Sequence, residues 1–241
     1  MQKAITLGDV MALRLLDIGV RNPLPSPEEV LEWFRFLRAG WVHNGDPAKP
    51  HAKLHSGKCS TGFFLCKGVL AHGNLREILA ACMIEELVKA GLGRVDGVFG
   101  SPQSSILLSG DVGRLLGVKT YVLEKDSFDP AGKRMLFKAD DAIPEGAVLQ
   151  QIEELVTTWA SGDASKQAII VGNPHSVVFS PLVGVLVHRP RELIRALPDG
   201  RTIVPFIEKQ VDAWDPSECP LCRQGSIALP PKGENWARLT A

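Results

Sequence analysis

The middle of the chain alternates helices with short apolar strands, and this alternation limits the folds that it can adopt. Apolar residues at helical spacing predict a helix over 75–90, and a short buried strand follows at 95–100. A loop of small residues at 101–105 leads into a second helix at 106–116 and a strand at 118–123. This order is typical of a parallel sheet with helices on its faces, where ligands bind at the ends of strands.

Further elements are predicted on both sides of this region. An amphipathic pattern indicates a short helix over 1–20, and Ser26 is a suitable N-cap for a second helix from Pro27 to Gly40. Strands are predicted where the chain is strongly apolar and β-branched, at 176–179, 182–187 and 202–207. The whole pattern favours an α/β protein.

The stretch 148–161 admits two interpretations. In the first, a strand ends at two acids, Glu153 and Glu154, and a hydroxyl-rich loop leads into a helix. Paired carboxylates can accept hydrogen bonds from adjacent sugar hydroxyls, and a tight loop at a helix N-terminus can receive a phosphate. In the second, the stretch is an ordinary amphipathic helix capped by Gly162, with an apolar stripe at Ile152, Leu155, Val156 and Trp159.

Composition narrows the class of partner. Lys plus Arg equals Asp plus Glu, at 27 each, so the net charge is zero and neither nucleic acid nor a membrane surface is an expected partner. No apolar run is long enough to span a bilayer, and charged residues interrupt the first 20 positions, so no signal peptide is predicted. We therefore expect a soluble, cytoplasmic protein.

The five cysteines indicate free thiols, because their number is odd and nothing points to secretion. Cys219 and Cys222 form a Cys-x-x-Cys pair, which invites a zinc interpretation. A structural zinc site needs four ligands, and the other three cysteines and the six histidines show no partner spacing. The sequence therefore favours no metal at this pair.

Two segments remain open between a functional and a structural interpretation. The turn at 56–58, ahead of Phe63 and Phe64, fits a ligand-facing turn, but an ordinary hairpin turn has the same composition. Residues 126–146 are polar, with apolar residues at 135–137. They fit either a mobile lid or a plain surface hairpin.

Five short segments follow one another in a characteristic order, at 54–58, 95–100, 121–125, 153–158 and 218–222. Their order and spacing resemble those of the type I phosphoribosyltransferases, most closely the bacterial orotate phosphoribosyltransferases with a Cys-Pro-Leu-Cys tail. The resemblance implies a flavodoxin-like parallel sheet with helices on both faces and a small hood. It implies a helical cap or dimerisation segment at 1–50, and a catalytic domain at 51–241 with hood elements from both ends.

The resemblance also implies the reaction and its ligands. A nitrogen of a pyrimidine-type base would displace pyrophosphate from the ribose C1 of phosphoribosyl pyrophosphate, which binds with Mg²⁺, and the enzyme would be a homodimer of pyrimidine biosynthesis. Glu153 and Glu154 would hold the ribose hydroxyls, and Lys125 would neutralise the departing pyrophosphate. The implied substrate-binding residues are Lys58, Phe63 and Phe64 near the base; Ser101, Gln103, Ser104 and Ser105 at the pyrophosphate; Val156, Thr157, Thr158, Trp159, Ala160 and Ser161 at the 5′-phosphate; and Arg189.

The chain departs from the family pattern at several of these positions. Gln150 and Gln151 stand where the family has apolar residues, and Trp159 and Ala160 stand where it has small glycines. Glycine allows a positive φ and a close approach of backbone to phosphate, which Trp does not easily allow. These departures support an alternative function, in which a weak or inactive relative binds a phosphoribosyl ligand or nucleotide as a regulatory or structural module.

Overall fold

The computed structural model describes residues 23–129, 134–137 and 142–240, together with Gly8. The helix predicted over 1–20 lies outside these residues, apart from Gly8. The described helices are α1 (Pro27–Phe36), α2 (Cys66–Leu70), α3 (Gly73–Lys89), α4 (Ser104–Leu116), α5 (Ala160–Gly172), α6 (Pro220–Arg223) and α7 (Asn235–Thr240). The strands are β1 (Gly40–Val42), β2 (His51–Lys53), β3 (Cys59–Ser60), β4 (Gly62–Phe64), β5 (Gly97–Phe99), β6 (Lys119–Tyr121), β7 (Leu123–Lys125), β8 (Met135–Phe137), β9 (Val148–Val156), β10 (Val178–His188), β11 (Thr202–Glu208), β12 (Ala213–Trp214) and β13 (Ala228–Leu229).

A five-stranded parallel sheet forms the centre of the fold, in the order β11-β10-β9-β5-β6. The alternation read from the sequence is confirmed, since α3, β5, α4 and β6 follow one another as predicted. The segments predicted at 176–179 and 182–187 are one strand, β10, with a shift of register between Phe179 and Val183. The predicted strand at 118–123 is shorter, and Leu123 already belongs to β7 in another sheet.

The stretch 148–161 is a strand followed by a helix. β9 runs to Val156, a short loop covers 157–159, and α5 begins at Ala160. The alternative of one amphipathic helix is wrong, because Gly162 lies in the first turn of α5 and caps nothing. β9 lies between β5 and β10 and is buried along most of its length, so its apolar residues do not alternate strictly with polar ones.

Helices cover both faces of the central sheet, as the predicted fold class requires. Buried residues of α3 and α4, such as Met83 and Leu108, share the largest core cluster with Ile152 of β9 and Leu186 of β10. Ile169 of α5 belongs to a second cluster on the other face. In α1, a capping box at Ser26 fixes the predicted start, but the helix ends at Phe36 rather than Gly40.

A second sheet, in the order β12-β3-β2-β13, joins distant parts of the chain, and we call it the hood sheet. β2 and β3 pair antiparallel, β12 adds to β3, and β13 lies parallel to β2.

The apolar residues at 135–137 form the predicted hairpin, because β7 and β8 pair antiparallel. The role of this hairpin as a lid stays a prediction. No helix among the described residues is long and apolar enough to cross a membrane.

Two glycines of α4 provide a matched test of how this helix packs on the central sheet. A Cβ at Gly113 would lie 2.8 Å from Val98 Cγ2 and 3.2 Å from the Val118 carbonyl, whereas a Cβ at Gly110 meets nothing within 4 Å. We expect Gly113→Ala to lower the free energy of unfolding by about 1–3 kcal/mol through overpacking. Gly110→Ala should raise it by about 0.5–1 kcal/mol, since Ala favours helix. Urea unfolding checks both, and equal effects would contradict the helix–sheet contact.

Candidate functional site

The candidate site lies at the edge of the central sheet where its parallel strands end. β5 leads into the serine-rich loop before α4, β9 leads into the hydroxyl-rich loop before α5, and β10 ends at His188. Parallel strands bring their carboxyl ends to the same edge, so these three loops are neighbours. Ser101 Oγ, in the first of these loops, lies 3.3 Å from the Ser161 carbonyl in the first turn of α5, so the serine-rich loop contacts the start of that helix.

Glu153 lies beneath this edge and is 4% exposed. Its Oε1 accepts hydrogen bonds from Ser101 Oγ and Gln151 Nε2, both at 2.7 Å, and its Oε2 accepts one from Ser105 Oγ at 3.1 Å. Burial raises the pKa of Glu153 above its ordinary value, against the opposing effect of these hydrogen bonds. The structure thus brings three predicted site residues together, namely Glu153, Ser101 and Ser105.

The polar network extends from Glu153 to the protein surface. Gln151 Oε1 accepts a hydrogen bond of 2.8 Å from Arg201 Nη1, and Arg201 Nε donates to Asp199 at 2.7 Å. Lys166 Nζ also donates to Asp199, at 2.7 Å. Burial disfavours the Asp199 carboxylate, but hydrogen bonds from Lys166 and Arg201 outweigh it and lower its pKa to about 2. Arg201 and Asp199 are not among the predicted site residues, although a Gln on a buried strand signals that a polar partner is required.

Glu154 is half-buried and lies between the serine loop and the end of β10. Its backbone N–H donates to Ser105 Oγ at 3.1 Å, and its carbonyl accepts a hydrogen bond of 3.4 Å from the Cys66 thiol. Arg189 is also half-buried and comes directly after β10 in the chain. Its charge acts on the nearby Cys66 thiol, and burial lowers the pKa of the Arg189 guanidinium. Within the described part of the chain, the Arg189 Nε has no hydrogen-bond partner.

The loop at 157–159 exposes two of the predicted phosphate ligands, Thr157 and Thr158. They line a cleft of about 310 Å³ with Trp159, His188 and Arg191. Val156, predicted in the same set, is largely buried but also lines this cleft, while Ala160 and Ser161 are exposed at the start of α5. The loop therefore presents hydroxyls, a helix N-terminus and a nearby guanidinium, which are suitable groups for receiving a phosphate.

Trp159 fits in this loop because nothing there requires glycine. Its φ of −84° and ψ of 1° are available to any residue. Its ring packs on Gly162, where an added Cβ would lie 2.5 Å from the ring, and the Arg201 guanidinium lies 5.3 Å from the ring centre. The absence of a side chain at Gly162 therefore makes room for the indole.

The other predicted residues lie outside this network. Lys125 is exposed on β7, Gln103 is exposed before α4, and the side chain of Ser104 is outside the described part. Lys58 is exposed between β2 and β3, with its Nζ 4.0 Å from Asp215. Within the described part, the side chains that donate to the Glu153 carboxylate are Ser101, Ser105 and Gln151, and neither lysine is among them. The two predicted aromatic residues differ, since Phe64 is buried against Phe34 and Phe63 is half-buried, with its ring centre 6.5 Å from that of Trp236.

Comparison with known proteins finds relatives in sequence and in structure that carry the same name. No protein-family model matches the chain. An orotate phosphoribosyltransferase of Desulforamulus reducens is 30% identical over 204 residues, which cover 85% of this chain and 95% of the relative. An orotate phosphoribosyltransferase of Heliobacterium modesticaldum is 28% identical over 206 residues, covering 86% of this chain and 97% of the relative. The crystal structure of orotate phosphoribosyltransferase from Aeropyrum pernix has a similar fold, with a TM-score of 0.54 at 17% identity, covering 74% of this chain and 93% of that one.

The raised pKa of Glu153 predicts a specific dependence of stability on pH. The folded chain holds this proton to higher pH than the unfolded chain does, where the pKa is about 4.3, so ionisation of Glu153 lowers the free energy of unfolding as pH rises through this window. Glu153→Gln removes the effect. We expect its free energy of unfolding, relative to the wild type, to increase with pH from about pH 4 upward.

Urea unfolding at a series of pH values measures this difference. Glu234→Gln, which changes an exposed side chain near the C-terminus, is the matched control. A difference between Glu153→Gln and the wild type that stays constant with pH would show that Glu153 ionises alike in the folded and unfolded chains.

Proposed function

The chain belongs to the orotate phosphoribosyltransferases, a family of type I phosphoribosyltransferases, and on this premise we propose that it transfers ribose 5-phosphate from phosphoribosyl pyrophosphate to orotate. In this reaction the bond from ribose C1 to pyrophosphate breaks, and a bond from C1 to a ring nitrogen of the base forms. The observation that supports the proposal best is the pair of acids at the end of β9, between a serine loop and the N-terminus of α5.

We propose different roles for the two acids. Both carboxylate oxygens of Glu153 already accept hydrogen bonds inside the protein, so its role is to position the serine loop. Glu154 is less buried and lies one residue nearer the strand end, where its carboxylate can accept hydrogen bonds from the ribose hydroxyls. Charge-assisted hydrogen bonds of this kind fix the orientation of the sugar at the point where C1 becomes electron-poor.

The two phosphate ends of the substrate are assigned to separate loops. The hydroxyls of Thr157 and Thr158, with the first N–H groups of α5, would receive the 5′-phosphate, and Arg191 lines the same cleft. The loop from Ser101 to Ser105 would face the pyrophosphate. Lys125, on the exposed hairpin, would approach as negative charge develops on the leaving group.

Mg²⁺ would enter with phosphoribosyl pyrophosphate and neutralise part of its charge. Among the described residues, no group of three or more acidic, His or Cys side chains converges at this edge of the sheet. Mg²⁺ commonly binds through one or two carboxylates together with substrate phosphates and water. Glu154 is a suitable carboxylate for this purpose, so the site fits an ion held mainly by the substrate.

The base would be held between the end of β10 and the hood. Arg189 offers a half-buried guanidinium, and a guanidinium pairs well with the carboxylate that distinguishes orotate from uracil. Of the two phenylalanines predicted near the base, Phe63 is the one that is still partly accessible, and Lys58 lies in the hood turn. We further propose a cytoplasmic homodimer, following the family resemblance, with residues 1–50 as its cap or dimerisation segment.

One observation favours a second candidate function. The Trp159 indole fills the place beside Gly162, next to the loop that would receive the phosphate, and Arg201 stacks on it. If the indole leaves less space for the phosphate at this loop, the chain would bind a phosphoribosyl ligand or a nucleotide without turnover. Binding of phosphoribosyl pyrophosphate without release of pyrophosphate would support this alternative.

The transferase function predicts release of one pyrophosphate for each orotate consumed, in the presence of phosphoribosyl pyrophosphate and Mg²⁺. Arg189→Met should lower kcat/KM for orotate by roughly 10–100-fold, because a hydrogen-bonded charge is worth about 1.5–3 kcal/mol. Arg94→Met, before β5 at the opposite edge of the sheet, is the matched control and should leave kcat/KM unchanged. No pyrophosphate release with orotate, at high enzyme concentration, would contradict the function.

Replacement of the indole tests whether it narrows the phosphate loop. We expect Trp159→Gly to bind phosphoribosyl pyrophosphate more tightly than the wild type, because the backbone at 157–161 would then be open to the phosphate. Calorimetric titration measures the Kd. The control is Trp214→Gly, which removes an indole from β12 in the hood sheet. An unchanged Kd for Trp159→Gly would mean that this loop does not contact the phosphate.

A further inference from the structure

Four side chains that commonly bind metals converge in the hood sheet. His51 lies on β2 and Cys59 on β3. Cys219 is the N-cap of α6, and Cys222 lies within that helix. Their ligand atoms all lie within 4.8 Å of one another. Three of the four residues are buried, and Cys222 is half-buried. Cys59 and Cys222 are 163 positions apart in sequence, so only the fold brings this group together.

The spacing of the ligand atoms matches a tetrahedral site. His51 Nε2 is 3.5 Å from the Sγ atoms of both Cys219 and Cys222, and the Sγ atoms of Cys59 and Cys222 are 3.7 Å apart. Zinc binds sulfur at about 2.3 Å and nitrogen at about 2.0–2.1 Å, which in a tetrahedron places neighbouring sulfurs roughly 3.8 Å apart and sulfur and nitrogen roughly 3.5 Å apart. Three of the six separations therefore already match those that one bound ion requires, and the other three are no longer than 4.8 Å.

The histidine is held in the tautomer that a metal needs. Ser226 Oγ donates its hydrogen to the Lys49 carbonyl at 2.6 Å. His51 Nδ1 lies 2.8 Å from Ser226 Oγ. Since the hydroxyl hydrogen is used, Ser226 accepts a hydrogen bond from Nδ1–H. The lone pair of Nε2 then points toward the thiols. A second group that orients a ligating histidine in this way is characteristic of metal sites.

The loop of Cys219 and Cys222 is also arranged as a ligand loop. Cys219 precedes a Pro at the start of α6, and the backbone N–H of Cys222 donates to Cys219 Sγ at 3.5 Å. A disulfide would engage only two of the three thiols, and the 3.7 Å between Cys59 and Cys222 would have to shorten to about 2.05 Å. As free thiols, Cys219 and Cys222 would compete for the single lone pair of His51 Nε2, which accepts one S–H hydrogen, whereas one ion can bind all of these atoms at once.

We propose that His51, Cys59, Cys219 and Cys222 bind one zinc ion in a structural site. All four positions of the tetrahedron are filled by protein atoms, so no position remains for a substrate. The ion ties α6, near the C-terminus, to β2 and β3 of the hood sheet, and it fixes the turn between those strands that carries Lys58. The zinc proposal does not rest on the transferase function, because none of the four ligands belongs to the edge of the central sheet.

The metal content of the full-length protein tests the proposal. The chain is produced with zinc in the medium and purified with reductant, and bound metal is measured by inductively coupled plasma mass spectrometry. We expect one zinc per chain in the wild type, loss of zinc in Cys219→Ser and Cys59→Ser, and full retention in Cys82→Ser. Cys82 is a buried thiol of α3 and serves as the matched control. No zinc in the wild type, or equal zinc in all variants, would overturn the proposal.

Two further measurements stay informative if the ligand variants fail to fold. Co²⁺ bound by the metal-free wild type should give the visible absorption of a tetrahedral cobalt–thiolate site, and an octahedral spectrum would overturn the proposal. Ser226→Ala leaves all four ligands in place and should weaken zinc binding about 10–100-fold, measured by competition with a chelator. An unchanged affinity, or a Cys59–Cys222 disulfide in place of zinc, would count against the site.

Discussion

The buried carboxylate of Glu153 is the constraint on which the candidate site depends. A carboxylate removed from water is stable only when hydrogen-bond donors surround it, and an unsatisfied one costs several kcal/mol. Ser101 and Ser105 come from the loop and helix after β5, and Gln151 comes from β9 itself. The hydrogen bonds to this one carboxylate therefore hold β9 next to β5, and they fix the position of the loop that joins β5 to α4.

Much of the fold could be predicted from the sequence because its signals are local. Helical spacing in α3 and α4, the capping box of α1, and the β-branched runs of β10 and β11 each depend on a few adjacent residues. The stretch around Glu153 was ambiguous because a central strand lacks the polar alternation that identifies a strand at a glance. The structure decides in favour of a strand, which runs from Val148 to Val156.

The parts that could not be predicted depend on contacts between distant positions. Gln151 and Arg201 are 50 residues apart, and the polar strand residues make sense only when that pair is formed. Trp159 was difficult to reconcile with a phosphate loop, because the compensating small residue, Gly162, is recognisable only once the start of α5 is known. The cysteine pair lacked visible partners for the same reason, since His51 is 168 positions from Cys219.

The composition of the hood sheet has a consequence for synthesis of the chain. All five strands of the central sheet are complete once residue 208 has been made, whereas β2 and β3 gain their outer neighbours only when β12 and β13 emerge. Domains tend to fold as they are synthesised from the N-terminus. During translation the outer edges of β2 and β3 would thus stay unpaired, and the Cys59 thiol would lack Cys219 and Cys222 as neighbours, while more than 150 further residues are added. This part of the ribosome-bound chain is therefore open to oxidation and mispairing until β12, α6 and β13 are made.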